Sequence, residues 1–303
     1  MIAGMIPAPL RRLIALACLL VALPGAAHAE PALWQIKGEH ATVWLFGTIH
    51  VLKPDTPWQS PALKAAMADA TVLWLEIPEA DPAVAATLMA RYGRDPEHPL
   101  STRLDGADRE KLGRVLGDLG LPAEAFERLR PWSAGIVIGL LPIQRAGYDP
   151  ASGAEKVLTA AMHAAGKPVL GFETLEQQLR YLADLPPDLE LAFFRTSLDE
   201  APEAASKLND LIQAWSAGDE AAVERQLNDE MRDKAPELYQ RLIVARNHRF
   251  ATAIAALVHG DKSVLVAIGD GHLVGADSVG ADLAAMGIHA ERIDTNSRGA
   301  PAK

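Results

Sequence analysis

Along residues 33–46 apolar and polar positions alternate as LWQIK, pause at GEH and resume as the almost unbroken apolar run ATVWLF. This pattern predicts a hairpin whose second strand is buried on both faces. Residues 60–70, SPALKAAMADA, open on Ser and Pro and then carry apolar residues at helical intervals, as a capped helix start does. The strand TVLWLEIP follows at once. Strand, helix and strand within about 35 residues predict a βαβ unit with parallel strands and a right-handed crossover. From about 81 to 165 the pattern is helical, through DPAVAATLMARYG, DGADREKLGRVLGDLGLP, AEAFERLRPWSAGIVIGLLPIQRAG and SGAEKVLTAAMHAAG. KPVLGFET then reads as a fourth strand, 174–258 as helical again, SVLVAIG as a strand, ADSVGADLAAMG as a helix and IHAERID as a final strand. The expected fold is α/β: a mainly parallel sheet formed by the N- and C-terminal parts of the chain, with a large helical insertion between them. No Gly/Ser linker, low-complexity tract or solenoid repeat interrupts it.

Composition changes this picture at the N-terminus. Arg11 and Arg12 precede the apolar LIALACLLVAL (13–23), and PGAAHA then ends on Ala27-His28-Ala29. A basic start, an apolar stretch too short for a bilayer and an A-x-A site read as a cleavable signal peptide over 1–29, leaving one domain over 30–303. The expected location is periplasmic or secreted. The single cysteine, Cys18, lies inside that leader, so the mature chain excludes disulfides, thiolate nucleophiles and Cys-based zinc sites together. Removing 1–29 takes away two arginines and no acid, which moves the formal charge from −10 to −12. Such a chain suits neither nucleic acid nor an anionic membrane surface, and no later apolar run is long enough for stable membrane insertion.

Four strands finish on a residue able to do chemistry: His50 after TVWLFG, Glu76 in TVLWLE, Glu173 in PVLGFE and His272 after VLVAIG. In parallel α/β sheets ligands bind beyond the carboxyl ends of the strands, so two imidazoles and two carboxylates are expected on one edge. The Gly-x-x-His spacing is weak alone, because Gly25 to His28 repeats it inside the leader. Context separates the other two, each following a buried strand and each with a glycine that permits a turn. Plainer readings stand beside these: core or cap histidines, a Glu76–arginine ion pair, and a Glu173 that helps the next helix start. Gly269, Gly271 and Gly275 with Asp294 imitate a dinucleotide loop, but only nine residues follow, too few to complete such a fold. There is no H-E-x-x-H, G-x-S-x-G or P-loop pattern.

Taken in order, LFGTIHVLKP, TVLWLEIP, GKPVLGFETLEQQL, LYQRLIVARNHRFATAIAALV and VAIGDGHLVGADSVGADLAAMGIHAERI resemble the TraB/GumN family, which is related to the Tiki proteins. The resemblance runs from about 33 to 294. It implies a twin Gly-x-x-His α/β fold and, for Tiki-like members, metal-dependent peptidase activity. It marks His50, Glu76 and His272 as the core of the site, Glu173 as a further candidate and Arg246-Asn247 as the family's Arg-Asn pair.

Two neutral imidazoles and a carboxylate form a common ligand set for a divalent ion such as Zn, Mn or Co. The expectation is a metal-dependent hydrolase acting on a peptide or protein substrate. His50, His272 and Glu173 would be ligands, Glu76 the general base and Arg246 the group that holds a carboxylate or oxyanion, with the two carboxylates open to exchange. The alternatives are a metal-independent, esterase-like hydrolase with His50 as base, and a non-catalytic binding or regulatory module. The helical stretch 81–165 is expected to shape a substrate groove near Trp132 or Arg145.

Overall fold

A computed structural model describes residues 30–293; the expected leader, its cleavage site and Asp294 lie outside the described residues. The strands are β1 (Leu33–Lys37), β2 (Thr42–Thr48), β3 (Val72–Leu75), β4 (Val169–Gly171), β5 (Val264–Gly269) and β6 (Glu291–Arg292), ordered β4-β3-β5-β2-β1-β6. β2–β5, β3–β5 and β3–β4 pair in parallel, while β1 pairs antiparallel with β2 and β6. The α/β fold with a mainly parallel sheet from both ends of the chain is therefore the one observed.

Two details differ from the sequence pattern. β2 and β3 are parallel but not adjacent, because β5 lies between them, with Thr48 opposite Gly269 and Leu75 opposite Ala267. Of the expected last strand IHAERID, Glu291 and Arg292 pair with β1 among the described residues, antiparallel, and the Ile293 N–H donates to the Leu33 carbonyl at 2.8 Å.

β5 shows why its run must be wholly apolar. Successive side chains of a strand point to opposite faces, and both faces are covered. Leu265 and Ala267 join Trp44, Phe46, Leu73, Leu158 and Trp215 on one side, while Val264, Val266 and Ile268 join Val43, Leu45, Phe250, Ile254 and Leu283 on the other. A third core, with Leu116, Phe126, Ile138, Phe194 and Leu198, unites the helical insertion with the helix Pro187–Glu200.

Local signals place the helices. Ser60 caps the helix Pro61–Asp69 by accepting from the Leu63 N–H at 3.0 Å, with Pro61 in its first turn, where a missing N–H is harmless. Thr174 and Gln177 form a reciprocal capping box at the start of Leu175–Ala183. The helical run from Glu220 to Val258 contains two widened π turns, Arg225–Asp229 and Gln240–Val244. Such turns leave no periodic trace in sequence, and π turns are frequent at functional sites.

Candidate active site

The carboxyl ends of β2, β3, β4 and β5 share one edge of the sheet, and His50, Glu76, Glu173 and His272 all follow within three residues of them. The helix Ala245–Val258 brings Arg246 and Asn247 to the same place, both buried. Arg246 is the hub: it reaches Glu76 and Glu173 through Nη2, the latter at 2.8 Å, and its Nη1 stands 3.1 Å from His272 Nε2. The Tyr181 and Phe250 rings flank its guanidinium at 5.4 and 5.2 Å.

His272 is held in one tautomer. Asn247 Nδ2 donates to the Asp277 carbonyl at 2.6 Å, so Asn247 Oδ1 faces His272 Nδ1, also at 2.6 Å, and accepts its proton. The assignment follows from the hydrogen-bond network, and Arg246, which can only donate, requires the same lone pair on Nε2. Burial lowers the His272 pKa to about 4, which keeps the ring neutral near pH 7.

His50 is placed differently, with a side chain 66% exposed. Its Nδ1 lies 2.5 Å from Glu155 Oε1, and Glu155 also accepts from the Thr48 hydroxyl. The Glu155 charge raises His50 to about 9, a pull that water around the open ring tempers. Burial would raise the Glu155 pKa, but His50 and Thr48 hold it below its ordinary value.

Glu76 Oε1 accepts from the Gly269 N–H at 2.7 Å and lies 3.7 Å from His272 Nε2, while Oε2 accepts from Arg246 and, at 3.0 Å, from Gln178 Nε2. Burial opposes its ionisation, yet His272, Arg246, His50 and the Gly269 amide together bring Glu76 to about 2. Both Glu173 oxygens are taken up by Arg246, and Tyr181 OH at 2.7 Å and Arg249 at 3.4 Å add to them. Glu173 precedes the Thr174 cap, so it is not the first-turn acid of the next helix; Glu176 is.

The motif glycines serve close approach rather than a turn. Gly47 and Gly269 lie inside β2 and β5, and neither needs a positive φ. A Cβ on Gly269 would stand 3.0 Å from Glu76 Oε1, 3.7 Å from His50 Nε2 and 3.8 Å from His272 Cδ2. The bare Cα is thus the point around which both histidines and Glu76 gather.

Several participants carry no sequence signal of their own. Glu155 reads as an ordinary first-turn acid, and Gln178 and Tyr181 as one face of a capped helix. Asn228, on the first π turn, donates to the Gly271 and Val274 carbonyls at 2.8 and 3.3 Å and so grips the turn that carries His272. The helical insertion therefore does supply a site residue, Glu155. Trp132 and Arg145 do not line the groove: Trp132 is buried and donates to the Tyr92 carbonyl, and Arg145 binds the Asp118 and Leu119 carbonyls. A cavity of about 420 Å³ opens instead beside His50, Glu76 and Glu155. Among the described residues, no three His, Cys, Asp or Glu side chains are already grouped to hold a metal ion.

The sequence profile of the TraB/PrgY/gumN family matches residues 32–292. The chain belongs to this family. An uncharacterized protein of Treponema pallidum (strain Nichols) is 23% identical over 276 residues, covering 85% of this chain and 82% of the relative. No solved structure matches the chain. In this TraB/PrgY/gumN protein the two Gly-x-x-His motifs lie on neighbouring parallel strands, β2 and β5, with His50 and His272 at one edge.

Proposed function

We propose that this protein is an exported hydrolase that uses a divalent metal ion to cut peptide bonds. The observation that carries the reading is the state of the two imidazoles. Each has its Nδ1 engaged by an oxygen, of Glu155 for His50 and of Asn247 for His272, and both Nε2 atoms gather with Glu76 around Gly269; that of His272 accepts from Arg246, whose N–H a bound metal would replace. Metal-binding histidines are held this way by carboxylate or carbonyl partners in their outer shell. The donor chemistry fits Zn, Mn or Co, with His50, His272 and Glu76 as the holding residues.

Of the two exchangeable carboxylates, Glu76 suits the ligand role because it lines the cavity with His50 and meets Arg246 through Oε2, keeping Oε1 3.7 Å from His272 Nε2, whereas both Glu173 oxygens are held by Arg246. A metal bound there would supply Lewis acidity to the scissile carbonyl and acidify a water molecule. Arg246, fixed by Glu173 and the rings of Tyr181 and Phe250, brings a positive charge to the site where an oxyanion would develop. Glu155 fixes the His50 ring, and Asn247 keeps the proton of His272 on Nδ1.

The metal-independent reading also has an observation in its favour, the His50–Glu155 pair, which with Thr48 forms an imidazole–carboxylate dyad. Glu155 raises the His50 pKa, which disfavours His50 as a general base in that dyad, and a metal on Nε2 would displace the proton it holds. Metal analysis and peptide hydrolysis on the parent, His50→Ala, His272→Ala, Glu76→Gln and Glu173→Gln decide the matter. The first three variants are expected to lose most bound metal, and the double histidine variant to be little worse than either single one. Glu173→Gln should keep its metal while hydrolysis drops by about 10². Full activity after EDTA dialysis, with unchanged metal content in both histidine variants, would sink the metal reading. Absence of turnover in a parent that still binds metal would leave a binding module.

A further inference from the structure

We infer that the cavity beside His50 and Glu76 is the selectivity pocket of the site, and that it takes an uncharged, apolar side chain of the substrate next to the bond that is cut. The inference rests on the hydrolase reading above and adds the class of side chain. The cavity holds about 420 Å³, and His50, Glu76 and Glu155 are among its polar lining. Leu75, Ile77 and Pro78 on the stretch leaving β3, Ala85 on the helix Pro82–Tyr92 and Pro150 give it apolar walls.

Every charge in its lining is already engaged. Glu76 binds Arg246, Glu155 binds His50, and Glu79 pairs with Lys156 at 2.7 Å. A substrate carboxylate would meet three carboxylates and find Lys156 occupied. A substrate ammonium would leave water for carboxylates already neutralised by Arg246, His50 and Lys156, and so would gain little from them. Both exclusions are repulsive or desolvation terms, which is how a site rejects the wrong partner. An apolar group meets neither penalty and gains its own burial, about fourfold in binding for each methylene removed from water. Continuity with His50 and Glu76 fixes the occupant, because a side chain lodged here belongs to a molecule whose backbone lies over those two residues.

Ala85 gives the means to test this. It lines the cavity from a helix that has no buried residue, so a larger side chain there fills the pocket without disturbing a core. The peptides are the amides of Gly-Gly-X-Gly-Gly with X = Ala, Val, Leu, Phe, Asp or Lys, incubated with metal-loaded parent, Ala85→Leu and Ala85→Trp and followed by mass spectrometry. In the parent, kcat/KM is expected to rise about fourfold per methylene from Ala to Leu, with Asp and Lys at least tenfold below Leu. In Ala85→Trp the Leu and Phe peptides should lose their advantage over the Ala peptide, with metal content unchanged; Ala85→Leu should lie between and serves if the Trp variant melts early. A flat series in the parent, or the same ranking in both variants, overturns the pocket and leaves the hydrolase reading standing. If the parent cleaves none of the peptides, the hydrolase reading fails, and saturation-transfer NMR on the same peptides decides the pocket. Signals from the Leu and Phe peptides that vanish in Ala85→Trp uphold it, and their absence or persistence overturns it.

Discussion

Asp270 is the residue whose situation contrasts most with its neighbours. It stands between Gly269 and the Gly271-His272 pair and is buried. Burial, with the nearby Glu220 adding to it, raises its pKa to about 7. The folded chain thus holds a proton on Asp270 more tightly than the unfolded chain does, and the stability this contributes is complete below about pH 4 and lost as pH rises through 7. Asp270→Asn should therefore stabilise the protein at pH 8, on the order of a few kcal/mol at most, and the gain should shrink towards pH 4. Urea melts of both proteins at the two pH values check this; a gain equal at both would show that the carboxyl does not titrate in this range. The strand-end residues themselves were legible, because a polar residue closing a buried run is conspicuous. Glu155 was not, since an acid in the first turn of a helix has an ordinary explanation in the helix dipole.

At the scale of elements, β2 and β5 are pressed together with the turn after β5. Trp215 Nε1 donates to the Gly47 carbonyl at 2.9 Å, and a Cβ on Gly47 would collide with the Asp270 carboxylate. Gly47→Ala is expected to cost about 1–3 kcal/mol as an overpacked position. Adding Asp270→Gly should make the pair lose less than the sum of the single variants. Additive losses in denaturant midpoints would refute the contact. The strands and the first capped helix could be read from alternation, apolar runs and the Ser-Pro start. The position of β5 could not, because pairing between residues 43–48 and 264–269 leaves no local pattern. The π turn that aims Asn228 at the Gly271 carbonyl is equally silent, since it adds no period of its own.

For the whole molecule, the leader is the expectation that stands apart from the described structure. The first strand opens at Leu33, so cleavage after Ala29 removes no part of the sheet. Periplasmic protein from a Gram-negative host should begin at Glu30 and melt together with protein expressed from that residue. Intact-mass spectra that retain Met1 would refute export by this route.

The order of the strands carries one more consequence. β5 is made after the hairpin, the insertion and most of the helices, yet it occupies the middle of the sheet and supplies Gly269 and His272. A ribosome-bound or prematurely stopped chain that ends before β5 has Glu76 and Glu173 on the β3–β4 pair and His50 on the β1–β2 hairpin, with no strand to join the two. Such a chain is half a lock, with an apolar gap between β2 and β3 that only β5 closes.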